Sequence, residues 1–143
     1  MIDEPQQFVS DRAPEPVGAF PHARRAGSLL FCSGIGPRSR GQHTIPGVTL
    51  DDTGRIVDYD FELQGRTVLE NVRRVVEDAG SSWDGIVDVT AFLTDMTRDF
   101  PVWNRLWAEY FPDDPPARTT VEVSRLPTPI AIELKVIAAL PTG

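Results

Sequence analysis

Apolar side chains recur every three or four positions between residues 61 and 79, which is the clearest periodic pattern in the chain. That spacing places them in one stripe along an amphipathic helix. The stripe consists of Leu63, Val68, Leu69, Val72, Val75, Val76 and Ala79. Gly80 follows directly and suits the left-handed position that often ends a helix. The sequence therefore predicts a helix over residues 61–79.

Four shorter apolar segments predict strands. Residues 27–34 hold an apolar run between two glycines, and residues 86–93 are rich in β-branched side chains. Residues 118–123 and 130–138 form a later pair, separated by a turn that contains Pro127. A second helix is predicted between the second and third of these segments.

The second helix is predicted over residues 99–110, with Asp99 or Thr97 as its N-cap. Three prolines, at positions 112, 115 and 116, end it. Trp103 and Trp107 lie within it and offer flat surfaces on which a conjugated ligand could stack. At helical spacing, however, two tryptophans are more typical of a core or a subunit interface.

The remaining segments suggest how the chain is organised. Residues 1–16 hold three prolines among polar residues and predict an irregular arm or extended edge, so residues 17–143 form a single domain. Residues 35–55 predict the longest loop, and long loops in compact domains are often functional. The element order predicts an α+β sandwich with two helices packed on one face of a mixed β-sheet. Such a sheet leaves a face or an edge to cover, which favours self-association.

Composition narrows the possible functions. The net charge of −7 and the pI of about 4.7 disfavour nucleic acid as a partner, because phosphate contacts need a basic face. The single cysteine, Cys32, provides no disulfide framework. The polar N-terminus does not resemble a signal peptide, and no apolar run approaches the roughly 18 residues that span a bilayer. We therefore expect a cytoplasmic protein with no membrane partner.

Several common catalytic patterns are absent from the sequence. Neither a phosphate-binding loop nor a dinucleotide fingerprint occurs. His22 and His43 lie in separate predicted loops and only one cysteine is present, so we expect no metal site. Cys32 lies within an apolar strand, where a small buried side chain is a better interpretation than a reactive thiolate.

Arg118 begins a predicted strand directly after a proline-rich loop. An arginine at a strand end can reach into a cleft, and its planar set of donors suits a carboxylate. A surface ion pair would explain the same position equally well. The sequence pattern alone does not separate these two interpretations.

Glu133 lies inside the last apolar strand. Alternation places Glu133 and Lys135 on one face and Ile132, Leu134 and Val136 on the other. A solvated strand face would account for this pattern. A carboxyl group held in apolar surroundings would instead have a raised pKa and could act as an acid.

Residues 116–127 and 132–138 closely resemble the C-terminal signature of the Rid (YjgF-like) imine/enamine deaminase family. The resemblance covers about residues 17–139. The other segments that resemble the family are residues 30–34, 64–79, 87–96, 100–104 and 110–111. This resemblance implies a chorismate-mutase-like fold and a homotrimer with its sites between subunits. It also implies hydrolysis of enamine or imine intermediates to release ammonia, without metal or organic cofactor.

The resemblance also implies site residues. Arg118 would bind the substrate carboxylate, and Glu133 would position or protonate the attacking water or the leaving amine. The other implied pocket residues are Thr120, Ser33, Gly34, Phe20 and Asn104. Thr120 would contribute backbone groups where many relatives have cysteine. Phe20 stands where the family often has a phenolic hydroxyl, so that hydroxyl is lost here.

The loop at residues 35–48 is longer and richer in hydrogen-bond donors than the common form, and resembles the 2-aminomuconate deaminase branch. That substrate is a dicarboxylate, whose product would be 4-oxalocrotonate (2-hydroxymuconate), formed in aromatic-compound degradation. We expect Arg38 to meet the second carboxylate; a solvated loop arginine is the alternative. Arg40 and His43 are further donors in the same loop.

Two other functions remain open. The first is a general hydrolase of reactive imines of the 2-aminoacrylate type. The second is a regulatory module that binds carboxylates without catalysis. Retention of both Arg118 and Glu133 favours catalysis, because binding alone does not need the glutamate. RNA cleavage, sometimes ascribed to relatives, is disfavoured by the acidic charge.

Overall fold

The computed structural model describes residues 6–141. Residues 1–5 of the expected arm and residues 142–143 of the expected domain lie outside this range. The strands are β1 (Gln6–Phe8), β2 (Ala23–Ala26), β3 (Leu29–Cys32), β4 (Val48–Leu50), β5 (Ile56–Tyr59), β6 (Ile86–Leu93), β7 (Ala117–Glu122) and β8 (Ile132–Ala139). The helices are α1 (Phe61–Asp78) and α2 (Met96–Tyr110), and Trp83–Gly85 forms a 3₁₀ turn.

Six strands form one mixed sheet in the order β1-β2-β3-β8-β6-β7, while β4 and β5 form a separate hairpin. Strands β6 and β7 run parallel, joined by a crossover through α2, and the other neighbours are antiparallel. The predicted fold, with two helices packed against a mixed sheet, is confirmed. None of the helices within residues 6–141 is long and apolar enough to span a bilayer.

Helix α1 confirms the strongest sequence prediction. The side chain of Asp60 caps its first turn by accepting a hydrogen bond from the backbone N–H of Leu63. Gly80 lies just beyond its end with a φ of +94°, in the left-handed region that glycine adopts without strain. The predicted apolar stripe faces the core, with Leu63 as an exposed exception. Two polar side chains, Gln64 and Asn71, are buried on the same face.

Helix α2 begins earlier than predicted. Asp95 is its N-cap and accepts from the N–H of Arg98, so the proposed caps Asp99 and Thr97 are wrong. Asp99 and Pro101 resemble the residues that start a helix, but both lie inside this one. Asp99 is buried and accepts a hydrogen bond from the hydroxyl of Tyr59, which explains a carboxylate at that position.

Four strands, β1, β2, β4 and β5, were not predicted as strands, because their short sequences do not alternate clearly. Residues 35–55 were expected to be loop, yet β4 lies within them and pairs with β5. The hairpin turns at Asp51, whose carboxylate accepts from the N–H groups of Thr53 and Arg55. Strand β1 lies inside the expected irregular arm and forms an edge of the main sheet with β2. Both β1 and β2 are short and mainly polar, so the period-2 signal is weak.

Both helices cover one face of the sheet. On β8, alternate residues Ile132, Leu134, Val136 and Ala138 are buried beneath them. The opposite face is uncovered and carries apolar side chains in the open. Among these are Leu29 and Phe31 on β3, each 38% exposed, and Val121 on β7, which is 37% exposed.

Candidate functional site

Strand register places the two central candidates on opposite faces of the sheet. Arg118 pairs across β6 with Val89, which in turn pairs with the buried Val136. Glu133 pairs with Phe92, which pairs with the exposed Val121. Directly paired residues point to the same face of a sheet. Within one chain, Arg118 therefore lies on the helix-covered face and Glu133 on the uncovered face.

Arg118 lies at the start of β7 and packs against α2. Its Nη2 atom donates to Oδ1 of Asn104 at 2.8 Å, and its guanidinium lies 5.2 Å from the ring centroid of Trp107 and 5.7 Å from that of Phe100. Partial burial lowers its pKa, although arginine remains a cation at neutral pH. Within residues 6–141 no carboxylate forms an ion pair with it. The alternative of a surface ion pair therefore has no support in this part of the chain.

Thr120 lies two residues after Arg118 and on the same face of β7. Its Oγ1 atom is buried and has no hydrogen-bond partner among the described residues. A buried hydroxyl without a partner costs free energy unless a ligand or water supplies one. The Arg118 cluster, defined as Arg118, Asn104, Thr120 and Trp107, thus combines a held cation with an unused hydroxyl. Trp103 is fully buried in the core, whereas Trp107 contacts the arginine.

Glu133 borders a small cavity with a volume of about 40 Å³. Four other predicted residues line this cavity, which we call the Glu133 cavity: Phe20, Ser33, Gly34 and Arg38. Burial raises the pKa of the Glu133 carboxyl, and the positive charge of Arg38 partly offsets that effect. A carboxyl group in such a setting holds its proton to higher pH than usual and can donate it.

Gly34 is required by its contact with Glu133. Backbone hydrogen bonds join Ile35 and Leu134 in both directions at 2.8 Å, which continues the β3–β8 pairing and brings Gly34 against the glutamate. A Cβ atom at Gly34 would lie 2.6 Å from Oε2 of Glu133. The adjacent Ser33 donates its hydroxyl to the carbonyl of Pro21 at 2.8 Å. The early Ser-Gly strand therefore shapes the carboxylate's position.

The N-terminal segment forms a wall of the Glu133 cavity that sequence reasoning missed. Its contributing residues are Ala13, Pro14, Pro16 and Val17. Arg40 fastens this segment by donating to the carbonyls of Ser10 and Ala13 at 3.3 and 2.9 Å. Arg40 therefore holds this wall in place and lines neither the Glu133 cavity nor the neighbouring cavity around His43. The only sequence sign of this wall was the run of prolines.

Arg38 lies where two cavities meet. It lines the Glu133 cavity and a larger one of about 520 Å³, and its Nη2 atom donates to the carbonyl of Glu15. His43 lines the larger cavity, which we call the loop cavity, together with Gln42 and Thr44. The structure thus brings Arg38 next to Glu133 but assigns His43 to the neighbouring space.

Other reactive groups do not form a site. Cys32 is buried, and burial raises the pKa of its thiol to about 12. Such a thiol is protonated and inert at neutral pH. No three His, Cys, Asp or Glu side chains within residues 6–141 converge as ligands of a metal ion would.

The chain matches the family described as Endoribonuclease L-PSP over residues 10–140. A RutC family protein of Pyrococcus horikoshii is 40% identical over 134 residues, covering 92% of this chain and 94% of the relative. Reactive Intermediate Deaminase A, chloroplastic, of Arabidopsis thaliana is 33% identical over 131 residues, covering 92% of this chain and 64% of the relative.

Solved structures with the same fold include several relatives. Escherichia coli TdcF with bound serine superposes with a TM-score of 0.81 at 30% identity, covering 95% of this chain and 99% of that one. The Escherichia coli YjgF gene product gives a TM-score of 0.79 at 29% identity, covering 94% and 98%.

Proposed function

Because this chain belongs to the Endoribonuclease L-PSP family, that of the Rid (YjgF-like) proteins, we propose that it hydrolyses small carboxylate-bearing imines and enamines to release ammonia. The observation that carries the proposal is the Arg118 cluster. A half-buried guanidinium is held by an amide and two aromatic rings and lacks a carboxylate partner within residues 6–141. Such an arginine suits a carboxylate supplied by a ligand.

The catalytic partner in this proposal is Glu133. Its raised pKa supports a role as proton donor, and the charge of Arg38 keeps that pKa from rising further. Because Arg118 and Glu133 occupy opposite faces of one sheet, we propose that a complete site joins the Arg118 cluster of one subunit to the Glu133 cavity of a neighbour. The uncovered apolar sheet face supports association, and a closed homotrimer would give three equivalent sites.

The proposed reaction proceeds through an imine. An enamine substrate first tautomerises, and its carboxylate pairs with Arg118. Water held near Glu133 adds its oxygen to the C=N carbon while the nitrogen takes up a proton, which gives a carbinolamine. The C–N bond then breaks, ammonia leaves with a proton from Glu133, and the hydroxyl proton returns to the carboxylate as the carbonyl forms. General acid–base help of this kind contributes about 10²–10⁴-fold.

For the substrate itself we propose 2-aminomuconate, which would yield 4-oxalocrotonate (2-hydroxymuconate) and ammonia. The loop cavity, about 520 Å³ in volume, adjoins the Glu133 cavity through Arg38. That space could hold the extended chain of a dicarboxylate, with Arg38 pairing with the second carboxylate. His43 and Gln42 offer further polar contacts there.

A smaller substrate of the 2-aminoacrylate type is the second candidate, and the Glu133 cavity of about 40 Å³ favours it. The related TdcF structure with bound serine supports a ligand of this size. A module that binds carboxylates without catalysis would use the Arg118 cluster but would leave the raised pKa of Glu133 without a role.

The experiment is ammonia release from enzymatically generated 2-aminomuconate and 2-aminoacrylate by wild type and Arg118→Ala. Arg73→Ala is the matched control, because Arg73 also lies over an aromatic ring, Trp83 at 4.4 Å, but lines neither cavity. We expect release that collapses in Arg118→Ala and persists in Arg73→Ala. Release from 2-aminoacrylate alone would select the smaller substrate, and release from neither would leave the binding module.

A further inference from the structure

Two carboxamide side chains interrupt the apolar face of α1. Gln64 and Asn71 are 0% and 1% exposed, and they lie seven residues apart, which is about two helical turns. A buried amide costs free energy unless its polar atoms are paired. An aliphatic side chain would fill either position without that cost. Their hydrogen-bond partners therefore explain why amides stand there.

Asn71 contacts the turn that carries Arg38. Its Nδ2 atom donates to the carbonyl of Gly36 at 2.9 Å and to that of Arg38 at 2.7 Å. Its Oδ1 atom accepts from Nη1 of Arg74 at 2.8 Å, which fixes the orientation of the amide. Both donor hydrogens are thus used on two loop carbonyls that no strand pairs.

Gln64 makes the corresponding contact at the other end of the loop. Its Nε2 atom donates to the carbonyl of Pro46 at 3.2 Å, and its Oε1 atom accepts from the N–H of Ala131 at 2.8 Å. The two amides thus fasten the segment from Gly36 to Pro46 to the buried face of α1. Loop backbone groups need such partners because neither helix nor sheet supplies them.

We propose that Asn71 is a positioning residue, which holds the Gly36–Arg38 turn so that the Arg38 guanidinium stays against the Glu133 cavity. This inference rests on the proposed function for its effect on turnover. The Arg38 side chain donates a hydrogen bond to the carbonyl of Glu15, while Asn71 fixes the Arg38 backbone. Without Asn71 the turn would lose the two hydrogen bonds that this side chain donates to it, and Arg38 would no longer be held at the junction of the two cavities.

The test is a double-mutant cycle with Asn71→Ala, Arg38→Ala and the double variant. If Asn71 acts through Arg38, Arg38→Ala raises KM for a dicarboxylate by about ten- to more than hundredfold, Asn71→Ala raises it by at most that factor, and the double variant is no worse than Arg38→Ala. The alkaline limb of the pH profile, where the proton donor Glu133 ionises, should also move to higher pH in Asn71→Ala, because the Arg38 charge lowers the pKa of Glu133. Effects that simply multiply in the double variant would overturn the proposal.

Loss of stability alone must be separated from loss of positioning. Ser81→Ala serves as control, because it removes a partly buried hydrogen bond to the carbonyl of Ala139, at the far end of β8 from the cavity. We expect Ser81→Ala to lower Tm without moving the pH limb. If Asn71→Ala does not fold, Asn71→Ser, which has one hydroxyl donor in place of the two N–H donors of the amide, is used in the same cycle.

A second readout does not depend on catalysis. Titration of the Glu133 carboxyl by carbon-13 NMR, assigned by comparison with Glu133→Gln, should show a higher pKa in Asn71→Ala than in wild type. This measurement needs no substrate, so it reports on positioning even if the wild-type protein releases no ammonia. An unchanged pKa in folded Asn71→Ala would contradict the inference.

Discussion

Replacing Gly34 with alanine should abolish catalysis while leaving the fold nearly as stable as before. The added Cβ atom would lie 2.6 Å from Oε2 and 3.0 Å from Cδ of Glu133. Real contacts are not this short, so one group must move. The glutamate is the flexible partner, because Gly34 is fixed by the paired backbone on either side. Gly34→Ala therefore acts by displacing Glu133.

The expected stability change follows from two opposing effects. Turning a side chain away from its preferred rotamer costs about 0.5–1.5 kcal/mol. A Gly-to-Ala change at a position with negative φ gains about 0.4–1 kcal/mol, because it restricts the unfolded chain. The free energy of unfolding should thus change by less than about 1 kcal/mol. Turnover should fall by about 10²–10⁴-fold, as expected for loss of a general acid.

Gly80→Ala provides the opposite pattern. Gly80 has a φ of +94° and an added Cβ would meet nothing within 4 Å, so alanine there is strained by backbone conformation alone. We expect a loss of about 1–2 kcal/mol in stability with unchanged turnover. Thermal denaturation and ammonia release on both variants separate the two effects. Wild-type turnover in Gly34→Ala would refute the reasoning, as would a stability loss larger than that of Gly80→Ala.

Three further predictions concern the charged groups. Arg38→Ala should raise KM for 2-aminomuconate by about ten- to more than hundredfold, because it removes a charge-assisted hydrogen bond of about 1.5–3 kcal/mol, and should leave KM for 2-aminoacrylate nearly unchanged. Equal increases in KM for the two substrates, measured by steady-state kinetics, would disprove this prediction. Glu133→Gln should raise Tm at pH 8 but not at pH 4, because the pKa of Glu133 is raised in the folded protein, so the wild type loses stability as this carboxyl ionises. A difference in Tm between wild type and Glu133→Gln that does not change with pH would contradict this prediction. Arg118→Lys should keep the charge but lose most of kcat/KM, because lysine lacks the planar fork, and wild-type kinetics in this variant would count against carboxylate pairing at Arg118.

The parts of the fold that sequence predicted are those set by local periodicity. Helix α1 has a continuous apolar stripe and a glycine at its end, so its predicted limits, residues 61–79, differ by one residue from the observed helix, Phe61–Asp78. Strand β8 alternates strictly, and this alternation correctly separated Glu133 from the buried residues beside it. The start of α2 was predicted too late because Asp99 and Pro101 both resemble helix-initiating residues.

The arrangement of the site depends on contacts that local patterns do not encode. The parallel pairing of β7 with β6 determines that Arg118 and Glu133 face opposite sides of the sheet. That register joins segments distant in sequence, and a shift by one residue would reverse every side chain. The cavity wall from the N-terminal segment is non-local too, since Arg40 holds it across the loop. Trp107 packs against the core, as predicted, and its ring also contacts the Arg118 guanidinium, which the sequence pattern did not indicate.

The most direct test of the central proposal is complementation between Arg118→Ala and Glu133→Gln subunits. Each variant alone should be nearly inactive. When both are co-expressed with different tags and mixed assemblies are purified, a site shared between subunits can combine Arg118 from one chain with Glu133 from its neighbour. In either kind of mixed trimer, one of the three shared sites combines an intact Arg118 with an intact Glu133, so purified mixed trimers should recover about one third of wild-type turnover. Mixed assemblies as inactive as the two variants alone would contradict a site built from two subunits.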